Sequence, residues 1–232
     1  MRKIMAFMAV FVLSIALVSA YLRPTYDENT NTATFQIEKA GWYILPMMAV
    51  REGSCLKDSK LTYAWIWSPT MKKYIGGKYD TSIDSADNQK LIDDSNNYYA
   101  YAHEMFGGAW AYITGECSIG GSYDLERYKW FRDNTGKLQL AKGWNLFTVT
   151  PVMWDKSFND IKGDCKITAI AGWDGSKQEW MTINGSDVSI AMTSRAEKKS
   201  ATGESFWFKA ENDCIFDFNP VVQPPPIPII PE

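Results

Sequence analysis

The sequence predicts an all-β protein: two tandem copies of a small antiparallel β module, sandwich- or barrel-like, each with one disulfide. Three observations predict it. First, one passage occurs twice. Residues 60–75 (KLTYAWIWSPTMKKYI) align without a gap on 166–181 (KITAIAGWDGSKQEWM), so that Lys60, Leu61, Thr62 and Trp67 meet Lys166, Ile167, Thr168 and Trp173, and Tyr74 meets Trp180. Self-similarity at a long period means one structural unit used twice. Second, the flanks repeat in the same order. FQIEKAGWYILP (35–46) matches LQLAKGWNLFTV (138–149) with one residue slipped, and GGAWAYITGEC (107–117) matches ESFWFKAENDC (204–214), placing Trp110 on Trp207 and Cys117 on Cys214. Third, short aromatic and β-branched runs are separated by turn residues, the signature of strands rather than long helices.

The chain opens on a secretory layout. Arg2 and Lys3 precede an uncharged run, and Val18-Ser19-Ala20 fits a small-residue cleavage site, so residues 1–20 read as a signal peptide. The rival is an uncleaved anchor, because Ile4 to Leu22 approaches the length that spans a bilayer. No second apolar run of that length follows, which excludes a further membrane-spanning helix. The expected location is outside the cell or on its surface.

Module one then covers 21–122, module two 123–218, and a proline-rich tail 219–232. Each module is expected to begin with a hairpin. Its turn falls near Asn31-Thr32 in module one and at Asp133-Asn134-Thr135-Gly136 in module two, where Gly136 suits a left-handed position. A GW strand follows (Trp42, Ile44; Trp144, Leu146, Phe147), then the repeated hairpin, turning at Ser68-Pro69 and Asp174-Gly175. An aromatic strand closes each copy, Trp110–Ile113 or Phe206–Phe208. Between hairpin and closing strand the copies diverge, and inserts of this kind are where repeat scaffolds often carry function. Ser85 to Ile92 reads as a short helix capped by Ser85. The tail QPPPIPIIPE favours polyproline II and suits a stiff spacer.

The four cysteines fit an oxidising compartment. Four cysteines allow three pairings. The matched positions select Cys55–Cys117 and Cys165–Cys214, one clip per copy. Zinc is disfavoured by the lack of a C-x-x-C pair and by the single histidine, His103. Aromatics make up 14% of the residues, ten of them tryptophan, and many are expected to fill the cores of the two modules.

GWNLFTV (143–149), the hairpin with Trp173 and Trp180, and FWFKA (206–210) resemble the GWNL-type small β module of secreted archaeal and bacterial surface proteins. In module one GWYILP and AWAYI stand at the matching places. The resemblance implies a small β module on a cell surface and brings no catalytic residues.

Charge and motif content exclude several functions. The formal net charge is −3, and loss of Arg2 and Lys3 with the signal takes it to −5. No basic footprint for nucleic acid exists. No G-x-S-x-G or H-E-x-x-H motif is present. What remains lies in the 78–106 insertion. Asp84 and Asp87, one helical turn apart if that stretch is helical, are weak calcium candidates; calcium is the one cofactor left open, and a solvated polar loop is the plainer reading. Tyr98, Tyr99, Tyr101 and His103 form an aromatic group, with Tyr99 and Tyr101 on one face of an extended segment, able to stack on a sugar or a partner protein. Asn184-Gly185-Ser186 is a glycosylation sequon. The expected function is non-catalytic: binding or structure at the cell surface, through loops and exposed aromatics, to a surface protein or a carbohydrate. Two alternatives stand beside it, a carboxylate-dependent hydrolase using the acidic insertion and a subunit of a surface layer or filament.

Overall fold

The computed structural model describes residues 24–46, 52–68, 72–78, 106–154, 158–184 and 201–219. The signal segment, the 79–105 insertion and the chain beyond Asn219 lie outside the described residues. So do Asp84, Asp87, Tyr98, Tyr99, Tyr101, His103, the Ser85–Ile92 segment and the Ser68-Pro69 turn's proline.

The protein is all-β with several antiparallel sheets. Its first half contributes β1 (Thr25–Asp27), β2 (Thr32–Ile37), β3 (Gly41–Pro46), β4 (Leu61–Ser68), β5 (Lys73–Lys78), β6 (Gly108–Ile113) and β7 (Cys117–Ser122). The second contributes β8 (Lys137–Leu140), β9 (Gly143–Thr148), β10 (Ile167–Asp174), β11 (Glu179–Asn184), β12 (Ser205–Ala210) and β13 (Cys214–Asp217). Short helices α1 (Ser54–Lys57) and α3 (Phe158–Ile161) and the longer α2 (Leu125–Asn134) lie between strands.

The two four-stranded sheets have the same order, β3-β6-β4-β5 and β9-β12-β10-β11. Their registers correspond as well. Trp67 lies across from Tyr74, and Trp173 from Trp180. Each sheet carries one irregularity in the same place, at Thr62 and at Thr168, where the ladder to β6 or β12 skips a residue. Each threonine hydroxyl donates to a carbonyl of the adjoining strand, Thr62 to Tyr112 and Thr168 to Lys209, both at 3.3 Å. Lys72 and Gln178, at matching ends of the hairpin loops, both take a positive φ, 51° and 59°. Smaller ladders complete the halves, β1-β2-β7 and β8-β13. Disulfides Cys55–Cys117 and Cys165–Cys214 tie α1 to β7 and the segment before β10 to β13.

Strand alternation puts two different surfaces on each four-stranded sheet. In β3, Tyr43 and Leu45 enter the main core, while Trp42 and Ile44 face the other way; in β9, Phe147 enters the core, while Trp144 and Leu146 do not. The main core is continuous across both halves, and most of its largest fully buried side chains are phenylalanine. Phe106 stacks on Phe147 at 5.7 Å and on Phe218 at 4.7 Å, and Phe158 and Phe208 close on Phe216 at 5.1 and 5.3 Å.

Two expectations are corrected. The segment 128–134 is the body of α2, not the first arm of a hairpin. Asp124 caps it by accepting from the Arg127 N–H at 3.1 Å. Tyr128 and Phe131, three residues apart, bury on one side while Trp130 is exposed. The helix ends where the Thr135 and Gly136 N–H groups both donate to the Phe131 carbonyl, Gly136 taking φ +58°. A helical period within an aromatic run resembles a strand when the run is this short. Second, the aromatic strands β6 and β12 do not close their halves: β7 and β13 follow them, beginning at Cys117 and Cys214.

Candidate functional site

The outward faces of the two four-stranded sheets meet through tryptophan. On β4, Trp65 and Trp67 share one face; on β6 Trp110 stands between them and β3's Trp42. Across the junction, Trp67 packs edge-on to Trp207 at 5.5 Å, and Trp110 edge-on to Trp173 at 5.1 Å and Trp180 at 5.4 Å. Edge-to-face contact is the arrangement that ring quadrupoles prefer.

Two reciprocal hydrogen bonds fix the junction. The Trp67 indole N–H donates to the Trp144 carbonyl at 2.9 Å. The Trp173 indole N–H donates to the Trp42 carbonyl at 2.6 Å. Trp67 and Trp173 are matched residues, as are Trp144 and Trp42. Each half therefore grips the GW strand of the other by the same side chain.

Two clefts open along this junction. One, of about 400 Å³, is lined by Trp42, Trp65, Tyr74, Trp110, Trp173 and Trp180. The other, of about 330 Å³, is lined by Trp144, Ala171, Trp180, Trp207, Trp67, Tyr74 and Thr182. Every residue of the first has its matched residue in the second. Tyr74 and Trp180, which correspond to each other, belong to both and stand at the centre. The clefts differ chiefly at one pair, Trp65 in the first and Ala171 in the second. Trp180 is 51% exposed, Tyr74 48% and Trp144 36%, so both clefts reach solvent. Eight of the ten tryptophans line them.

The chemistry of these walls is narrow. Among the described residues no lining side chain carries a charge. Indole is a donor without an acceptor. The Trp207 indole N–H is buried and meets no acceptor. Loss of solvent raises the Tyr74 hydroxyl above its ordinary range, against the opposing effect of the Trp110 indole hydrogen bond. Neutral side chains, stacked rings and few acceptors suit binding through apolar faces.

The β10–β11 turn holds the first cleft in place. The buried Asp174 carboxylate Oδ1 accepts from the Ser176 N–H at 2.9 Å, the Ser176 hydroxyl at 2.6 Å and the Lys177 N–H at 3.2 Å. Burial pushes its pKa up, but the Ser176 and Lys177 hydrogen bonds outweigh it, so the carboxyl stays below the usual range. Lys177 Nζ lies 3.3 Å from Oδ2. This ordered turn delivers Gln178 to the backbone of Trp42, and a Cβ on Gly41 would collide with the Gln178 amide.

No family model, curated protein or solved structure matches this chain.

The sequence-derived site residues fall elsewhere. The Tyr98–His103 group and the Asp84/Asp87 pair lie outside the described residues. Asn184 ends β11, across from Ala169, and its side chain is also outside them. Among the described residues no cluster of three His, Cys, Asp or Glu could hold a metal, and no helix is long and apolar enough to cross a membrane. The aromatic residues divide: phenylalanines pack the main core, while eight tryptophans gather where the outward faces of the sheets meet. The signal for the clefts was already in the repeat, because Trp42/Trp144, Trp67/Trp173, Tyr74/Trp180 and Trp110/Trp207 are the pairs that reveal it.

Proposed function

We propose that the protein is an exported, non-catalytic binding module, made of two copies of one β unit, that holds its ligand in the paired tryptophan clefts. One observation carries this reading: the walls of two matched, solvent-reaching clefts are almost wholly aromatic rings, with no charged side chain among the described residues. Rings of this kind bind by stacking and desolvation, and Trp and Tyr recur as anchors of recognition surfaces. The two disulfides and the signal-like N-terminus support a location outside the cell. The ligand presents flat or ring-shaped apolar faces, which a sugar polymer and a protein segment both offer.

The test is a tryptophan-fluorescence titration with chitohexaose, cellohexaose and a synthetic peptide of residues 219–231, each taken to saturation. Binding of at least one probe, abolished in Trp180→Ala while circular dichroism is unchanged, is the expected result. Binding that survives Trp180→Ala, or no response to any probe, overturns the proposal.

A further inference from the structure

We infer that the larger cleft, lined by Trp42, Trp65, Tyr74, Trp110, Trp173 and Trp180, is the docking site of the chain's own proline-rich segment, residues 220–231. The inference rests on the reading of the clefts as binding sites and names what fills one of them.

The chemistries match. The segment reads PVVQPPPIPIIP and carries no charge; the described residues of the cleft walls carry none either. Proline offers an apolar ring and a carbonyl but no N–H. Indoles offer an apolar face but no acceptor, and here the Trp173 N–H is held by the Trp42 carbonyl and the Trp110 N–H by the Tyr74 hydroxyl, so proline rings would dock chiefly by stacking on the ring faces. A sugar would bring many hydroxyl donors, and these walls hold few acceptors for them. Aromatic-lined grooves take up extended proline-rich segments because those segments are stiff before binding and lose little entropy on docking.

The reach suffices. Phe218 is anchored in the core, its ring stacked on Phe106 at 4.7 Å and its N–H donating to the Gly136 carbonyl at 2.6 Å. Phe106 leads into β6, and Trp110 follows four residues later, about 13 Å along a strand. Twelve residues at about 3.1 Å each extend roughly 37 Å as polyproline II. A tethered segment that can span the gap meets its site at an effective concentration on the order of millimolar, so docking within one chain prevails over docking between chains.

The consequence is that an outside ligand must displace the tail from this cleft, while the smaller cleft, with Ala171 in place of Trp65, stays free.

The experiment uses the full chain and a full-length variant carrying Pro224→Ser, Pro225→Ser, Pro226→Ser and Pro228→Ser. Acrylamide quenching of tryptophan fluorescence and sedimentation are measured over a wide concentration range. The expected result is a monomer at every concentration, stronger quenching and a red-shifted emission in the serine variant, and reversal by added peptide 219–231. Trp65→Ala should remove the peptide's effect, and it should fold because Ala171 fills the matching place in the other cleft. Protection that appears only where the chain self-associates overturns docking within one chain and assigns the cleft to a second copy's tail. Identical quenching in parent and serine variant also overturns the inference. If chitohexaose or cellohexaose still binds in a Trp180-dependent way, the binding reading survives that failure; if no probe binds the serine variant, both fall.

Discussion

Gln178 clasps the backbone of Trp42. Its Oε1 accepts from the Trp42 N–H at 2.7 Å, and its Nε2 donates to the Trp42 carbonyl at 3.0 Å and to the Gly175 carbonyl at 2.6 Å. A side-chain amide thus behaves as an extra strand residue beside β3, joining the hairpin loop of one half to the GW strand of the other. The matched residue in the first half is Lys72, which is exposed, and nothing lies near the point where a Cβ on Gly143 would sit. The clasp closes one side of the junction only.

Gln178→Ala therefore costs about 1–3 kcal/mol, because it takes the amide away from the Trp42 N–H and the Gly175 carbonyl, while the Trp42 carbonyl keeps the Trp173 indole. Lys72→Ala, its counterpart, changes stability by less than about 0.5 kcal/mol, as surface substitutions usually do. Urea unfolding of both variants checks the contrast. Equal midpoints would remove the clasp as a feature of the junction.

Alkaline pH should weaken the fold before it ionises the buried tyrosines. The Tyr26 hydroxyl donates to Asn31 Oδ1 at 3.1 Å and is pushed up to about 12, first by burial and then by the Glu28 and Asp27 charges. Burial raises the Tyr123 hydroxyl well above its ordinary range, with Tyr128 and Tyr26 adding to it. An unfolded tyrosine ionises near pH 10. Above that the unfolded chain binds fewer protons than the folded one, so stability falls as pH rises. The contribution is complete below pH 10 and is lost on the way to about 12. Urea midpoints at pH 9 and pH 11, with absorbance at 295 nm, measure it. Tyr26→Phe should flatten the decline, and an unchanged midpoint at pH 11 contradicts the account.

Reading the sequence reached the strands further than the helices, for a physical reason. Thr62/Thr168 and Trp67/Trp173 repeat because one backbone geometry, including its irregular step, recurs in both sheets, and repeated geometry leaves repeated residues. Helix α2 has no such partner. Its two core contacts, Tyr128 and Phe131, sit inside an aromatic run that suits a strand equally well, and only the Asp124 cap and Gly136 mark its limits. The clefts were hidden for another reason. A tryptophan's size argues for burial, but which face of a strand it occupies depends on the register, and burial of Tyr43 and Leu45 on one side of β3 sends Trp42 and Ile44 to the other.

Reduction should loosen both halves by similar amounts. The bridges Cys55–Cys117 and Cys165–Cys214 span 62 and 49 residues. Because closure entropy depends only on the logarithm of loop length, each contributes about 4 kcal/mol in the chain-entropy model. Double replacements Cys55→Ala/Cys117→Ala and Cys165→Ala/Cys214→Ala should lower the urea midpoint comparably. A large loss from one pair alone would show that the halves do not share their load in the way the matched topology implies.

The reciprocal indole bonds make the sharpest energetic claim. Trp67 to Trp144 at 2.9 Å and Trp173 to Trp42 at 2.6 Å are the same contact made twice. Replacing an indole by phenylalanine keeps a ring in place but removes the N–H, so a backbone carbonyl loses its donor. Each loss costs about 1 kcal/mol from the hydrogen bond, with a smaller packing penalty. The Trp42 carbonyl still accepts from the Gln178 side chain, whereas among the described residues Trp67 is the side chain that donates to the Trp144 carbonyl. Trp67→Phe should therefore destabilise more than Trp173→Phe, although its bond is the longer. In the Gln178→Ala background the order should close, because Trp42 then depends on Trp173 alone. A double-mutant cycle on Trp173 and Gln178 reads this directly as a coupling energy. Zero coupling would mean that the two donors do not share one acceptor in solution.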